Sequence, residues 1–148
     1  MGLCQSLNSF TFENTQEFTF KGQTKLAKVV QVYDGDTVWI VTKISGNYNK
    51  IKVRLNGIDA PELKPSLKIQ NRNKIIKLAN ESKKFLSDLI ENKIVTIKCH
   101  EFDKYGRLLV DIIIKQNNID INVSEHMIKN NKAYPYDGGK KIEIIIND

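Results

Sequence analysis

Three short polar motifs hold the residues of this chain that are best suited to chemistry. They are Asp34-Gly35-Asp36-Thr37, then Arg54-Leu55-Asn56-Gly57-Ile58-Asp59-Ala60-Pro61-Glu62, and finally Asp103-Lys104-Tyr105-Gly106-Arg107. Taken singly, each has an ordinary structural explanation, namely a tight turn, a solvated loop and a charged hairpin loop. The second motif is less ordinary, because an arginine leads into it along the polar face of a predicted strand.

Together the three motifs supply the groups that cleavage of a phosphodiester needs. Carboxylate oxygens hold hard divalent cations such as Ca²⁺, and a bound cation polarises a phosphate and stabilises developing charge. A further carboxylate can orient or deprotonate the attacking water. Guanidinium groups can neutralise the extra negative charge of the transition state.

Hydrophobic periodicity predicts the elements that must position these motifs. Alternating apolar residues indicate three antiparallel strands before the second motif ends, and Pro61 then interrupts the sheet because proline cannot donate to a ladder. An apolar stripe at helical spacing follows, and two more strands and a short helix come after it. The predicted ranges, in chain order, are strands Lys25–Tyr33, Thr37–Ile44 and Lys50–Ile58, helix Asn71–Ile90, strands Ile94–His100 and Leu108–Ile114, and helix Asn122–Lys132.

This order of elements predicts an α+β, mainly β, fold. The expected architecture is a five-stranded Greek-key barrel of the OB type, with a helix between strands 3 and 4 and a second short helix after strand 5. Residues 1–23 are expected to be a flexible N-terminal extension, and residues 24–148 to form the domain. Barrels of this type bind oligonucleotides in many unrelated proteins, but the fold alone does not give a function.

The composition indicates which binding partners are favoured and which kinds of site lack support. The chain has 148 residues and a net charge of +6, from 23 Lys and Arg against 17 Asp and Glu, a balance that favours polyanionic partners such as nucleic acids. The Cys4–Cys99 pair offers no disulfide framework, and His100 and His126 have no spacing typical of a zinc site. Cys99 alternates with apolar residues and is expected in the core of a strand.

The first residues, Met1-Gly2-Leu3-Cys4-Gln5-Ser6, fit the pattern for N-myristoylation of Gly2, with Cys4 placed for palmitoylation. A second acyl chain is what makes such an anchor stable. The alternative is a disordered tail with a chance match. No secretory signal pattern opens the chain, so we expect an intracellular, cytoplasmic monomer that the N-terminus can anchor to a membrane.

The three motifs, in this order and on these elements, resemble the staphylococcal nuclease (thermonuclease) family over about residues 27–136. The resemblance implies a calcium-dependent endonuclease that hydrolyses DNA and RNA, in single-stranded or frayed regions, to products with 3′-phosphates. It implies that Asp36 and Asp59 bind Ca²⁺ directly and that Ala60, where the family often has Thr, adds its backbone carbonyl. The chain departs from the family pattern in its Lys- and Asn-rich run at residues 64–72 and in ending soon after Tyr136, where a long helix is usual.

The resemblance also implies the roles of the residues around the cation. Glu62 would position or activate the water, and Arg54 and Arg107 would contact the reacting phosphate. The remaining implied contacts are to the nucleotide and come from four residues: Lys104, Tyr105, Tyr134 and Tyr136. For the last two tyrosines, packing on the barrel mouth is an equally good explanation.

Two other functions remain open at this point. One is a catalytically inactive barrel that binds nucleic acid. The presence of all five key residues, namely Asp36, Arg54, Asp59, Glu62 and Arg107, argues against it. The other is a membrane-tethered interaction protein whose acylated N-terminus is its main feature.

Overall fold

The computed structural model describes residues 6–141, so Gly2 and Cys4 lie outside the described residues. A closed mixed barrel dominates the fold. Its strands are β1 (Thr24–Val32), β2 (Thr37–Ile44), β3 (Asn47–Leu55), β5 (Ile94–Phe102) and β6 (Leu108–Gln116). The smaller elements are a 3-10 helix (Leu7–Ser9), strands β4 (Ile58–Asp59), β7 (Ile119–Asn122) and β8 (Tyr134–Pro135), and helices α1 (Arg72–Ile90) and α2 (Val123–Lys129).

The barrel closes through a parallel contact. Strands β3, β2, β1, β5 and β6 are antiparallel neighbours in that order, and β6 then pairs in parallel with β3 through Val53–Leu108, Arg54–Leu109 and Leu55–Val110. This confirms the predicted five-stranded OB-type barrel with α1 between its third and fourth strands and α2 after its fifth. Closure removes the exposed sheet edges and brings the end of β3 beside the start of β6.

The core fills the barrel with branched aliphatic side chains from alternate strand positions, among them Val29, Ile40, Leu55, Ile97 and Ile112, none of which is exposed. Cys99 is buried among them, as its alternation with apolar residues predicted. Burial also raises the pKa of its thiol.

Helix α1 covers one end of the barrel with a narrower stripe than the sequence predicted. Its buried residues are Ile75, Ala79, Ser82, Leu86 and Ile90, at i, i+4, i+7, i+11 and i+15. The larger residues Leu78, Phe85 and Leu89 flank that stripe and are only half-buried. Small side chains therefore lie where the helix meets the polar loops, which allows a close approach there. Asn92 follows the helix with a left-handed φ of 61°, a conformation that commonly ends helices.

Three short strands, β4, β7 and β8, were not predicted, and the limits of β1, β3, β5 and β6 differ from the predicted ones. Strand β3 spans Asn47–Leu55, not Lys50–Ile58. It begins at Asn47 because Ser45 and Gly46 form a two-residue hairpin turn with positive φ. It ends at Leu55 because Asn56 and Gly57 form the next turn, in which Gly57 has a φ of 81°. Asn117 and Asn118 turn in the same way between β6 and β7. Helix α2 is shorter than predicted; the Asn122 side chain accepts a hydrogen bond from Glu125 N, as expected for a helix N-cap.

The division of the chain at residue 24 stays a prediction, although part of the segment before it contacts the barrel. Phe20 is half-buried, its ring 4.9 Å edge-on from that of Phe18 and 6.1 Å from that of Phe102. Within residues 6–141, no helix combines the length and apolarity that crossing a bilayer requires.

Candidate active site

The predicted motifs meet in one open cleft of about 930 Å³ at the mouth of the barrel. The β1–β2 turn supplies Asp36, the end of β3 supplies Arg54, and the segment after β4 supplies Ala60 and Glu62. The β5–β6 loop reaches the same cleft because β6 starts beside the end of β3. Nine of the predicted site residues line it: Asp36, Arg54, Asp59, Ala60, Glu62, Lys104, Tyr105, Arg107 and Tyr136.

Asp36 is held on both carboxylate oxygens. Its Oδ1 accepts a hydrogen bond from Thr37 Oγ1 at 2.8 Å, and its Oδ2 accepts one from the backbone N–H of Ala60 at 3.0 Å. The residue is 7% exposed. A carboxylate this buried and this constrained has a fixed orientation, which suits a group that must bind a ligand in one geometry.

Arg54 joins the first two motifs. One terminal nitrogen, Nη2, lies 3.0 Å from Asp59 Oδ1 and 3.3 Å from Asp36 Oδ2. The guanidinium carbon is 5.2 Å from the centre of the Tyr136 ring. The strand pattern placed Arg54 on a polar face, yet the residue is only 6% exposed, because that face turns into the cleft at the end of β3. The two carboxylates balance the charge of this buried guanidinium through Nη2.

Gly35 lets the β1–β2 turn lie against α1 and the Ala60 loop. A Cβ atom at this position would be 2.6 Å from the Cβ of Ala60 and 2.9 Å from that of Ser82. The neighbouring Ser82 hydroxyl donates to the Lys132 carbonyl at 2.5 Å, which ties α1 to the segment after α2. The small residues Gly35, Ala60 and Ser82 therefore set the spacing between Asp36 and the loop that carries Asp59 and Glu62.

The carboxylates crowd one another. Burial and the charge of Asp36 raise the pKa of Asp34 to about 6. Burial also raises the pKa of Asp59, and the charge of Asp36 adds to this, although Lys141 and Arg54 offset part of the effect. Asp34 belongs to the first motif, and the family resemblance implies no role for it. Its Oδ1 accepts a hydrogen bond from Asp36 N at 3.1 Å. Excess negative charge of this kind is relieved by a bound cation.

Glu62 lies at the exposed rim of the cleft and contacts a residue that the sequence did not single out. Its Oε1 is 3.3 Å from Lys141 Nζ, and the same ammonium is 3.5 Å from Asp59 Oδ1. Burial opposes the charge of Lys141, but the Asp59 and Glu62 carboxylates outweigh it and raise the pKa of the ammonium. No motif could reveal this contact, since it depends on how residues 137–141 fold back over the site.

Arg107 is oriented by its own loop. Its Nε donates to Asp103 Oδ2 at 2.7 Å, and Asp103 Oδ1 accepts the backbone N–H groups of Tyr105 and Arg107 at 2.9 Å each. Partial burial opposes ionisation of Asp103, but these bonds outweigh it and lower the pKa of the carboxyl. The Tyr105 ring centre lies 5.3 Å from the Arg107 guanidinium carbon and 5.2 Å from Lys104 Nζ. Asp103 is thus a positioning residue for Arg107.

The two C-terminal tyrosines differ in position. Tyr136 lines the cleft, and its hydroxyl donates to the Gly139 carbonyl at 3.1 Å. Tyr134 pairs with Asp59 across the β4–β8 ladder, is half-buried and is absent from the cleft lining. Burial raises the pKa of its phenol. The structure therefore brings Tyr136 into the cleft, whereas Tyr134 lies beside Asp59 in the ladder without lining the cleft.

The donors available for a metal are oxygen atoms. Asp36 and Asp59 share Arg54 as a neighbour, and the backbone N–H of Ala60 bonds Asp36, so the two predicted carboxylates and the Ala60 peptide lie together. Within residues 6–141, no three His, Cys, Asp or Glu side chains are grouped as a metal site. Two carboxylates, one carbonyl and waters are a donor set that fits a hard cation.

Comparison with known proteins identifies the same family that the motifs resemble. The family model described as "Staphylococcal nuclease homologue" matches residues 52–142. An uncharacterized protein of Methanocaldococcus jannaschii is 30% identical over 144 residues, covering 87% of this chain and 68% of the relative. An uncharacterized endonuclease of Haemophilus influenzae is 37% identical over 109 residues, covering 74% of this chain and 51% of the relative.

A third relative, a probable staphylococcal-like nuclease of Oryza sativa subsp. japonica, is 36% identical over 87 residues, 59% of this chain and 19% of that protein. This chain thus corresponds to about half of the bacterial relative and to a small part of the plant one. The family model covers more than half of the chain, and the cleft holds the residues on which the resemblance rests. The chain therefore belongs to the staphylococcal nuclease homologue family.

Proposed function

We propose that this protein is a calcium-dependent nuclease that hydrolyses phosphodiester bonds of DNA and RNA. The observation that carries this proposal is the convergence of three carboxylates, Asp36, Asp59 and Glu62, and two guanidiniums, Arg54 and Arg107, in one open cleft. The names of the bacterial and plant relatives, an endonuclease and a nuclease, support a nucleic acid substrate. The net charge of +6 favours binding of a polyanion.

The positions of the carboxylates and of the Ala60 carbonyl allow each of them a role in cleavage. Asp36, Asp59 and the Ala60 carbonyl would hold Ca²⁺, which when bound supplies Lewis-acid polarisation of the phosphate. Glu62 accepts a proton from water as the water oxygen bonds to phosphorus. The bond from phosphorus to the 5′ oxygen then breaks and that oxygen takes up a proton from solvent, so the products are a 3′-phosphate and a 5′-hydroxyl.

The guanidinium groups of Arg54 and Arg107 stabilise the negative charge that develops on the phosphate. As the phosphate gains negative charge, Arg54 and Arg107 donate to its oxygens. Asp103 binds Nε of Arg107, so the two terminal nitrogens are the atoms that face a substrate. The Tyr136 ring beside Arg54 and the Tyr105 ring beside Arg107 present aromatic surface and hydroxyl groups near the nucleotide. Lys104 adds a positive charge at the same rim.

The test is cleavage of plasmid DNA, a single-stranded DNA oligonucleotide and its RNA counterpart, each with Ca²⁺, Mg²⁺ or EGTA. We expect fragments in Ca²⁺ and none in EGTA, and the fragments should gain a free 3′-hydroxyl after phosphatase treatment. Binding of the same oligonucleotides with no fragments in Ca²⁺ would instead favour the inactive binding barrel.

Acylation of Gly2 and Cys4, and the membrane-anchored cytoplasmic monomer that goes with it, stay predictions. Intact-mass measurement of the protein made in eukaryotic cells tests the acylation directly, since myristoyl and palmitoyl groups add distinct masses. An unmodified N-terminus under those conditions would remove both the anchor and the tethered-interaction alternative.

A further inference from the structure

A row of lysines and aromatic rings follows the outer surface of strands β2 and β3. The register pairs Trp39 with Lys52, Val41 with Lys50 and Lys43 with Tyr48. Alternate residues of a strand point to one side, so these six side chains share one surface. We name it the β2–β3 face.

The β2–β3 face runs directly into the cleft. Arg54 follows Lys52 by two residues on β3 and so belongs to the same row, and its partner across the sheet is Thr37. At a rise of about 3.3 Å per residue, the row extends roughly 20 Å from Arg54 to Tyr48. Gln31 borders both the cleft and the shallow groove beside Trp39. A strand of substrate that leaves Arg54 therefore has a continuous surface to follow.

Each aromatic ring on or beside this face has a lysine ammonium group close to it. Lys52 Nζ lies 3.9 Å from the ring centre of Tyr33, a residue that also lines the cleft. Lys50 and Lys52 lie 5.5 Å and 5.7 Å from the Trp39 ring, and Lys43 lies 6.0 Å from that of Tyr48. Cation–π contacts hold ammonium groups beside aromatic planes.

The groove beside Trp39 also contains one acidic group, Glu91. Its Oε1 accepts the backbone N–H of Val32 at 3.0 Å and its Oε2 accepts the Ser87 hydroxyl. These bonds fix the carboxylate at the end of α1. Lys43, Lys50 and Lys52 outnumber this one carboxylate, so the row itself carries a net positive charge.

Lysines on an outer barrel face are most simply explained as a solvated surface. Two features point beyond that explanation. The chain has a single tryptophan, and it is placed on this face between lysines. The row is also in line with the arginine at the reacting centre. Positive charge that tracks a backbone, interleaved with rings on which bases stack, is how proteins bind single strands without sequence preference.

We propose that the β2–β3 face binds the single-stranded polynucleotide that extends from the cleaved phosphate, with Lys50 and Lys52 on its phosphates and Trp39 under a base. This rests on the proposed nuclease function, because it assigns the cleft as the place where the same strand is cut. It makes the enzyme's preferred substrate a single strand of several nucleotides.

The test is binding of fluorescein-labelled dT12 and dT2 in EGTA by fluorescence anisotropy, so that cleavage does not enter the readout. For Trp39→Ala, we expect the affinity for dT12 to fall about fivefold or more while the affinity for dT2 changes little. For the double variant Lys50→Gln/Lys52→Gln, the slope of log affinity against log salt concentration for dT12 should fall by about 1.4, or about 0.7 per lysine.

Matched controls remove charge or an aromatic ring elsewhere. Lys77→Gln/Lys129→Gln takes two exposed lysines from the helices, and Phe12→Ala takes an aromatic residue that is 95% exposed. The proposal is overturned if dT12 affinity and slope match wild type in the face variants, if the control variants lose as much, or if dT2 and dT12 weaken equally. If Trp39→Ala does not fold, the salt slope of the lysine variant decides alone.

A parallel cleavage assay in Ca²⁺ separates the two proposals. Loss of dT12 binding in the face variants, together with a wild-type protein that never cuts, would retain the β2–β3 face and remove the nuclease function. Normal cutting with unchanged dT12 binding in those variants would retain the nuclease function and remove the proposed role of the β2–β3 face.

Discussion

The Nζ atom of Lys141 lies 3.3 Å from the Oε1 atom of Glu62, although 79 residues separate the two in the chain. The same ammonium also lies 3.5 Å from Asp59 Oδ1. It therefore places a positive charge beside two of the three carboxylates that we assign to the cation and the water. A cation that binds Asp59 must share that carboxylate with Lys141 or displace it.

Removing this ammonium should strengthen calcium binding. For Lys141→Ala we expect the Ca²⁺ affinity, measured by isothermal titration calorimetry, to rise about two- to tenfold, because one positive competitor in a partly buried site is lost. Lys140→Ala is the matched control, since it removes the same charge from an exposed neighbour. Weaker or unchanged calcium binding in Lys141→Ala would show that the ammonium does not compete with the cation.

Exchange of Arg54 for lysine should be costly even though the charge is kept. One guanidinium nitrogen already bonds both Asp36 and Asp59, and a guanidinium has further nitrogens that can donate to a phosphate at the same time. The single ammonium group of lysine cannot do both. We expect kcat for a single-stranded oligonucleotide to fall at least about 100-fold. Arg72→Lys, at an arginine that donates to the Pro65 carbonyl, is the control. Equal rates for Arg54→Lys and wild type would show that cleavage does not need the guanidinium of Arg54.

A methyl group at Gly35 should destabilise the protein and disturb the site together. The added Cβ would lie 2.6 Å from Ala60 Cβ, so the turn must move away from the loop that bonds Asp36. We expect Gly35→Ala to lower the free energy of unfolding, measured in urea, by about 1–3 kcal/mol and to slow cleavage. Gly46→Ala, which has open space but a φ of +86°, should cost stability and leave cleavage unchanged. A fully stable, fully active Gly35→Ala protein would contradict this packing.

Glu91 should make stability depend on pH. Hydrogen bonds from the Ser87 hydroxyl and the Val32 N–H lower the pKa of its carboxyl below the ordinary value of 4.5. The stabilisation is thus complete above that value and is lost as the pH falls through the lower, folded-state pKa. We expect Glu91→Gln to cost about 1 kcal/mol at pH 7 and progressively less in acid, by urea denaturation. Glu125→Gln is the control. A difference in the free energy of unfolding between wild type and Glu91→Gln that stays constant with pH would contradict this prediction.

Much of this molecule follows from its sequence pattern, because strand periodicity and the three motifs are local signals. Strand β2 has the predicted limits, and α1 begins one residue after the predicted start. The limits of β3 depend on the turns at Ser45-Gly46 and Asn56-Gly57, which alternation alone does not encode. The two-residue strands β4 and β8 are too short to show any period, and their pairing depends on the path of the chain after α2.

Some features of the site can also be predicted from the sequence, and others depend on the tertiary structure. The types and order of Asp36, Arg54 and Glu62 are visible in the sequence, since each belongs to a motif at a strand end. The roles of Asp103 and Lys141 are not, because one depends on the backbone of its loop and the other on the path of the chain after β8. The buried state of Arg54 is likewise a tertiary property, set by the parallel contact of β3 with β6.

The central claim is that this cleft cleaves phosphodiesters with Glu62 acting on the water. The most direct measurement is the single-turnover cleavage rate of a labelled single-stranded oligonucleotide in Ca²⁺ by wild type and Glu62→Gln, with calcium affinity measured on both. We predict that wild type cuts, that EGTA abolishes cutting, and that Glu62→Gln is slower by about 10²–10⁴-fold while still binding calcium. A wild-type protein that binds the oligonucleotide and calcium without cutting it, or a Glu62→Gln protein as fast as wild type, would contradict the account.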